Sequence, residues 1–371
     1  MSQSPTATPP APSAGAPGAS AEASGWASTR SPAQIVDALR RAKRVLLLTH
    51  ARPDGDALGS SLALARSLSS LGIVAMPAYV PSMPRWAAHL IAATPHVLLE
   101  NDHAARLGAL PEPDAMVIVD TGSWMQLEEV KGYLQPRTDK VMVIDHHLSG
   151  STDLTNARLI DAKAAAVAEV VAPLCAQLLG VASAAKLPLD IAEPLFLGLA
   201  TDTGWFKFSN TRSATLRLAA DLLETGVDHS RLFEWVEQQD RPSRLALQAR
   251  ALASLEYFEG QSVAVMSLTR ADFDATHSDS EEAGGFAADV LCVAEIQVAV
   301  VLTETVAKDP AGPVTKASIR SKPGPRAIDV AAVCRVLGGG GHARAAGVKI
   351  AAPIAEAKAR IVQAIRTVKN A

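Results

Sequence analysis

Five aspartates and three histidines in this chain stand where chemistry can use them. His50 closes an apolar run, and Asp54 and Asp56 follow it in A-R-P-D-G-D-A-L-G-S-S. Asp120 ends M-V-I-V-D, and Asp145 ends V-M-V-I-D with His146 and His147 directly behind it. Asp202 follows a long hydrophobic stretch in A-T-D-T-G-W-F. Carboxylates one residue apart, such as Asp54 and Asp56, repel and raise each other's pKa unless a cation lies between them. The D-G-D tripeptide alone fits a solvated turn equally well; the recurrence of Asp and His at the ends of four apolar segments does not. A donor set of carboxylates with some imidazole and no thiolate suits six-coordinate Mn²⁺ or Mg²⁺ better than structural zinc, and the imidazoles favour Mn²⁺. Two such ions roughly 3.5–4 Å apart, held by a bridging carboxylate and sharing a hydroxide, are a device for in-line displacement at phosphorus.

These groups meet only if the elements before them end side by side. The runs at 44–50, 73–80, 114–122 and 140–147 are short and apolar, as buried parallel strands are. Helical stretches alternate with several of them. Residues 31–43 have Ser31 as N-cap and Pro32 at the first helical position. The segment 60–71 is closed by Gly72, and 164–180 is expected to break near Pro173. Strand–helix alternation predicts an α/β domain with a doubly wound, mostly parallel sheet, whose ligands lie beyond the C-terminal strand ends. Residues 229–258 read as a charged helical linker. Beyond them the strand-like runs 261–270, 296–305 and 313–321 and a final helix predict a smaller α/β domain with a mixed sheet. The expected domains are thus 31–228 and 259–371.

With 371 residues, of which 48% are hydrophobic and 20% charged, the chain can build cores in both. A net charge of -3 excludes a polycation that coats duplex DNA. Three scattered cysteines, Cys175, Cys292 and Cys334, form no C-x-x-C pair. They are expected as core residues in a reducing cytosol. No run approaches the ~18 apolar residues of a membrane span. Residues 1–30, rich in Pro, Ala, Ser and Gly, carry neither a basic start nor an apolar signal core. Their composition predicts a disordered tail.

A second cluster lies near the C-terminus, in R-V-L-G-G-G-G-H-A-R-A-A-G. Gly339, Gly340 and Gly341 bare backbone N–H groups to which a phosphate could draw close. His342, Arg344, Arg320 and Ser321 add polar groups. From residue 314 onward eleven Lys and Arg face only Asp329 and Glu356. Placement of cations near the end of the last helix accounts for about half of that excess, but not for Arg320, Lys322 and Arg344.

Together, H-x-x-P-D-G-D-A-L-G-S-S, V-D-T-G, D-H-H and T-D-T-G, followed by S-x-R-S and G-G-G-G-H-x-x-A-A-G, resemble the DHH phosphoesterase superfamily with its DHH-associated C-terminal domain. The resemblance runs in order from residue 44 to residue 347. It is greatest to the group of bifunctional oligoribonucleases and 3′-phosphoadenosine 5′-phosphate phosphatases. It implies one Mn²⁺ on His50, Asp54 and Asp120, and a second on Asp56, Asp120, His146 and Asp202. Mg²⁺ is the alternative ion. It further implies that His147 neutralises the scissile phosphate, that Asp145 orients its neighbours, and that Arg320, Ser321, Gly339, Gly340, Gly341, His342 and Arg344 hold the nucleotide. The implied substrates are short single-stranded RNA oligonucleotides and small nucleotides, in a cytoplasmic protein without membrane attachment, and family members often form homodimers. Rival readings are a cyclic-dinucleotide or pApA phosphodiesterase, a family II pyrophosphatase and a non-catalytic nucleotide sensor.

Overall fold

The computed structural model describes residues 25–305 and 312–369, apart from the side chain of His342. The expected tail lies outside the described residues as far as residue 24. The chain divides into two compact units, with the boundary between Gln239 and Asp240.

The first unit holds strands β1 (Arg44–Leu48), β2 (Val74–Tyr79), β3 (Val97–Leu98), β4 (Ala115–Val119), β5 (Val141–Asp145) and β6 (Arg158–Ile160). They form one sheet in the order β3-β2-β1-β4-β5-β6, with every pair parallel. This is the doubly wound layout expected, with the strand order reversing between β1 and β4. Every residue of β4 and β5 is buried because helices and loops cover both faces, so these strands read as continuous apolar runs rather than alternating ones. On one face pack α1 (Pro32–Arg41), α2 (Gly55–Ser70), α3 (Ala168–Leu179) and α4 (Leu189–Asp202). Ser31 and Gln34 form a reciprocal capping box at the start of α1, as the Ser-Pro signal implies. Helix α3 runs through Pro173 without breaking. The expected interruption there is absent, since burial of its apolar residues outweighs one lost backbone hydrogen bond.

Helix α2 is buried on all sides, which requires close neighbours. A Cβ on Gly55 would lie 2.3 Å from Thr201 Oγ1, one on Gly59 would lie 2.1 Å from the Pro194 carbonyl oxygen, and one on Gly198 would lie 2.7 Å from Asp56 Oδ1. Only hydrogen at these positions lets α2 and α4 approach this closely.

Residues 25–30, expected in the disordered tail, are ordered against the sheet. Thr29 and Arg30 donate backbone N–H bonds to Arg158 O of the edge strand β6, and Trp26 is fully buried. One large apolar side chain outweighs the low hydrophobicity of its surroundings.

Residues 229–258, expected as a helical linker, hold two helices, α5 (His229–Glu237) in the first unit and α6 (Pro242–Ala253) in the second, and end in a short strand. Pro242 sets the break, because the residue before a proline is pushed out of the helical region; Arg241 sits at φ -77°, ψ 152°. The second unit carries β7 (Glu256–Phe258), β8 (Val263–Leu268), β9 (Val298–Thr305), β10 (Val314–Ser321), β11 (Gly340–His342) and β12 (Ala345–Ile350). Their order is β11-β12-β10-β9-β8-β7, and the β8–β9 pair is parallel in an otherwise antiparallel sheet. Helices α7 (Val330–Val336) and α8 (Ile354–Lys369) join its core. Cys175 and Cys334 are core residues as expected, whereas Cys292 is exposed. No helix among the described residues is long and apolar enough to cross a membrane.

The helix contact yields a prediction of sign. Replacing Gly by Ala inside a helix ordinarily gains about 1 kcal/mol of propensity. At Gly59 the added methyl meets backbone, and overpacking of that kind costs roughly 1–3 kcal/mol. Gly59→Ala is therefore expected to lower the urea midpoint, and a raised midpoint would contradict the packing described.

Candidate active site

His50 stands beyond the C-terminal end of β1 and Asp120 beyond that of β4, the two strands at which the sheet order reverses. Asp145 is the last residue of β5, with His146 and His147 in the loop behind it. Asp54 and Asp56, whose D-G-D tripeptide alone fits a solvated turn, stand on different parts of a helix start. Asp54 is the N-cap of α2, its Oδ1 accepting from the N–H groups of Asp56 and Ala57 at 3.1 Å each, and Asp56 lies in the first turn. They consequently join different clusters. Ligand-capable atoms of His50, Asp54 and Asp120 lie within 4.8 Å of one another, and so do those of Asp56, His146 and Asp202. Asp120 also groups with His146 and His147.

The carboxylate of Asp120 links these clusters. Its Oδ2 is 3.5 Å from His50 Nε2, and its Oδ1 is 3.3 Å from His146 Nε2. His146 Nε2 is in turn 3.4 Å from Asp202 Oδ2. The backbone of Asp120 is left-handed, with φ 65°, a strained conformation for a non-glycine residue of the kind stored at functional sites.

Neighbouring groups fix the rings. His50 Nδ1 lies 3.1 Å from Ala51 O and His146 Nδ1 lies 3.3 Å from Ala164 O, so each ring donates there and turns Nε2 towards Asp120. Asp145 is fully buried; its Oδ1 accepts from the N–H of His146 at 2.8 Å, the N–H of His147 at 3.3 Å and His147 Nδ1 at 2.7 Å. Asp56 accepts from Val167 N, Ala168 N and Ser60 Oγ, which anchor it at the start of α3. Asn210 Nδ2 donates to Asp202 O and Ala165 O at 3.1 Å each, bracing the end of α4.

Asn210 and the glycines Gly55, Gly59 and Gly198 are supporting residues that the motif reading misses. The four-residue spacing of Gly55 and Gly59 is the signal that could have found the glycines.

The electrostatics show what this arrangement lacks. Burial disfavours a charged His50, yet contact with Asp120 and the charges of Asp54 and Asp120 outweigh it and place its pKa at about 9. His146 is held at about 10 against the same penalty, by Asp120, Asp56 and Asp202. Burial also opposes ionisation of Asp120, but His146 and His50 hold it at about 2. Burial and the charges of Asp120 and Asp54 push Asp202 up to about 7, at the carbonyl end of a helix that disfavours an anion. Among the described residues Asp145 Oδ2 is buried without a hydrogen-bond partner, and Asp120 Oδ1 and His146 Nε2, though 3.3 Å apart, make no aligned hydrogen bond. Orphaned donors and surplus carboxylates of this kind are what divalent cations satisfy, and the oxygen and imidazole donor set fits them.

The second cluster gathers in the second unit, in a form that differs from a glycine loop. Gly340, Gly341 and His342 are edge strand β11, paired with Gly347, Ala346 and Ala345 of β12. A Cβ on Gly339 would come within 2.4 Å of Gly347 O, and one on Gly341 within 2.6 Å of Ala345 O. These two glycines thus serve strand approach, while Gly340 and Gly341 are exposed at the edge.

Ser321 is buried and donates to Ile328 O at 2.8 Å, so its hydroxyl is committed to the backbone. Arg344 Nη1 reaches Ser321 Oγ at 3.4 Å and Ile328 O at 3.3 Å. Arg320, opposite Ala345 in the β10–β12 register, donates only to Ile319 O and has no carboxylate partner among the described residues. Much of the remaining positive excess is paired, in Arg366–Glu259, Lys358–Glu256, Arg360–Glu356 and Arg335–Asp329. Lys322 is spent on the carbonyls of Val293 and Ala294.

Metal binding requires neutral imidazoles and ionised carboxylates, so protons held by His50, His146 and Asp202 must leave. The sign is fixed: affinity rises with pH while those groups are protonated in the free protein. Mn²⁺ is expected to bind at least roughly tenfold tighter at pH 8 than at pH 6, with proton release visible as a buffer-dependent heat in calorimetry. An affinity independent of pH, without proton release, would contradict the site.

Comparison with known proteins places the chain in a family. Residues 44–199 match the N-terminal domain of the DHH family, and residues 260–370 match the DHHA1 domain. The bifunctional oligoribonuclease and PAP phosphatase NrnA of Thermus thermophilus is 31% identical over 342 residues, 92% of this chain and 94% of that protein. The protein of the same name from Bacillus subtilis is 28% identical, over 51% of this chain and 55% of its own. The crystal structure of an exopolyphosphatase-related protein from Bacteroides fragilis shares the fold, with a TM-score of 0.81, 22% identity, and coverage of 91% of this chain and 96% of that one. With both domain matches in order and a relative similar along nearly its whole length, the chain belongs to the DHH family, with a DHHA1 domain behind the catalytic one.

Proposed function

We propose that this protein is a phosphoesterase that hydrolyses short oligoribonucleotides to mononucleotides and 3′-phosphoadenosine 5′-phosphate to AMP. One observation carries the reading most: a single buried carboxylate, Asp120, is shared by two clusters of donors at the point where the strand order reverses. The names of the Thermus and Bacillus relatives, which pair oligoribonuclease with PAP phosphatase activity, support the substrate class. No observation favours the pyrophosphatase, cyclic-dinucleotide or sensor readings.

Two Mn²⁺ ions are the proposed cofactor, one on His50, Asp54 and Asp120 and the other on Asp56, Asp120, His146 and Asp202. Such ions supply Lewis acidity towards the phosphate and lower the pKa of water. The protein's part is to hold charge in place. Asp145 fixes His147 by accepting from its Nδ1, so the ring is preset to take up charge on a non-bridging phosphate oxygen. Hydrolysis breaks the P–O bond to the departing nucleoside oxygen, water supplies the new P–O bond, and the leaving oxygen takes a proton.

In the second domain Arg320 and Arg344 are proposed to bind the substrate's phosphates, with His342 and the exposed edge at Gly340 and Gly341 beside them. Arg320 is half-buried and has no carboxylate partner among the described residues, so an anionic ligand would complete it. Ser321 and Gly339 serve the same site indirectly, by holding Arg344 and the β11–β12 hairpin.

The test is release of mononucleotides from 5′-labelled di- to pentaribonucleotides, and of phosphate from 3′-phosphoadenosine 5′-phosphate, with Mn²⁺ and then with EDTA. Metal-dependent release from both is expected. Turnover of pyrophosphate or a cyclic dinucleotide alone would overturn the substrate assignment. Asp120→Ala is expected to lower kcat for every substrate by roughly three orders of magnitude, the scale on which displacement chemistry depends on its electrostatic groups. Asp145→Asn is expected to cost roughly 10–100-fold in metal affinity or rate. Arg320→Ala is expected to raise KM about tenfold with kcat within about twofold, as loss of a charge-assisted contact made equally in ground and transition states does. An unchanged KM would remove Arg320 from the site.

A further inference from the structure

Trp26 lies before the first helix and outside both matched domains, yet its ring is fully buried beneath the two loops that carry Asp120 and His147. A Cβ on Gly122, two residues after Asp120, would fall 2.0 Å from the indole, and one on Gly150, three residues after His147, would fall 2.5 Å from it. The indole therefore rests directly on both glycine backbones. The same two loops are tied to each other, Ser151 N donating to Gly122 O at 2.7 Å and Trp124 N to Ser151 Oγ at 3.1 Å.

The ring is supported in turn. The Arg158 guanidinium stands 5.5 Å from its centroid and donates to Thr152 O, Thr155 O and Ala27 O. Ser28 and Thr29 clamp the segment onto β6: Ser28 Oγ donates to Ile160 O at 2.9 Å, and Thr29 Oγ1 donates to Asn156 O at 2.6 Å.

We propose that Trp26 is a positioning residue of the active site, a strut from the N-terminal segment that sets the Asp120 and His147 loops relative to each other. Asp120 is held in a left-handed backbone conformation, and such strain persists only where surrounding structure over-determines it. Glycine at both contact points lets the backbone settle against the indole, and removal of the ring leaves a void under both loops at once. The loops then relax, and the carboxylate shared by the two donor clusters loses its place. This inference rests on the proposed function for its kinetic readout but not for its metal and exchange readouts.

The experiment compares Trp26→Ala, Trp26→Phe and Leu39→Ala in the full chain. Leu39 is an equally buried core residue on the opposite face of the sheet, in α1. Each variant is assayed at a temperature where circular dichroism shows it folded. Trp26→Ala is expected to lose about tenfold or more in both Mn²⁺ affinity and kcat, the scale of a lost supporting group around a metal site, with KM within about twofold. Amide exchange in 120–124 and 146–151 should quicken, and Trp26→Phe should recover most of each loss. Leu39→Ala should lower the thermal midpoint comparably while leaving Mn²⁺ affinity, kcat and loop exchange at wild-type values.

Wild-type affinity and exchange in Trp26→Ala, or equal losses in Leu39→Ala, would overturn the proposal. If the wild-type protein turns over neither RNA nor 3′-phosphoadenosine 5′-phosphate, the functional reading fails, and the Mn²⁺ titration and exchange data still decide the strut. Should Trp26→Ala not fold, Trp26→Leu replaces it with the same criteria.

Discussion

Four carboxylates gathered around one largely buried point repel each other, and the rest of the first domain is organised around that repulsion. At an effective dielectric of about 20, two like charges 4 Å apart cost roughly 4 kcal/mol, so Asp54, Asp56, Asp120 and Asp202 cannot all ionise without compensation. The free protein compensates with protons: His50 stands at about 9, His146 at about 10 and Asp202 at about 7. Divalent cations do the same with more charge per site and a fixed geometry. The fold assists on one side only. Asp54 and Asp56 stand at the start of α2, where the helix dipole stabilises anions, while Asp202 stands at the end of its helix, where it does not. A cation between them would resolve the mismatch.

Close backbone approaches make this geometry rigid. Gly55, Gly59 and Gly198 let α2 and α4 touch, which sets the distance from Asp56 to Asp202. Gly122 and Gly150 let an indole support the loops of Asp120 and His147. The parallel strands deliver side chains to one edge, and the glycines fix how far apart those side chains end. A site that depends on sub-ångström placement of charged groups needs both devices.

Much of this was legible in the sequence because parallel strands buried on both faces leave unambiguous apolar runs, and polar residues at their ends have few structural excuses. His50, Asp120, Asp145, His146 and His147 were readable for that reason. Features governed by contacts distant in sequence were not. Asp56 reads as a loop residue because the D-G-D turn signal hides a helix start at Asp54. Trp26 reads as tail because its neighbours are small and polar, and only tertiary contact reveals its burial. The linker splits at Pro242 although its helical pattern looks continuous. The glycine run reads as an open loop, yet Gly340 and Gly341 belong to strand β11, and Gly339 and Gly341 lie against β12. Ser321 carries the right chemistry for a ligand but spends it on Ile328.

The two domains divide the work in this account. The first concentrates negative charge and is proposed to hold the reacting centre; the second offers Arg320 and Arg344, cations without carboxylate partners among the described residues. Central to the proposed function is the sharing of Asp120 between two ion sites. The most direct measurement is the number of Mn²⁺ ions bound per chain at saturation, by equilibrium dialysis of the full-length protein near pH 8. Two ions per chain are predicted; a single ion, or none, would contradict the account.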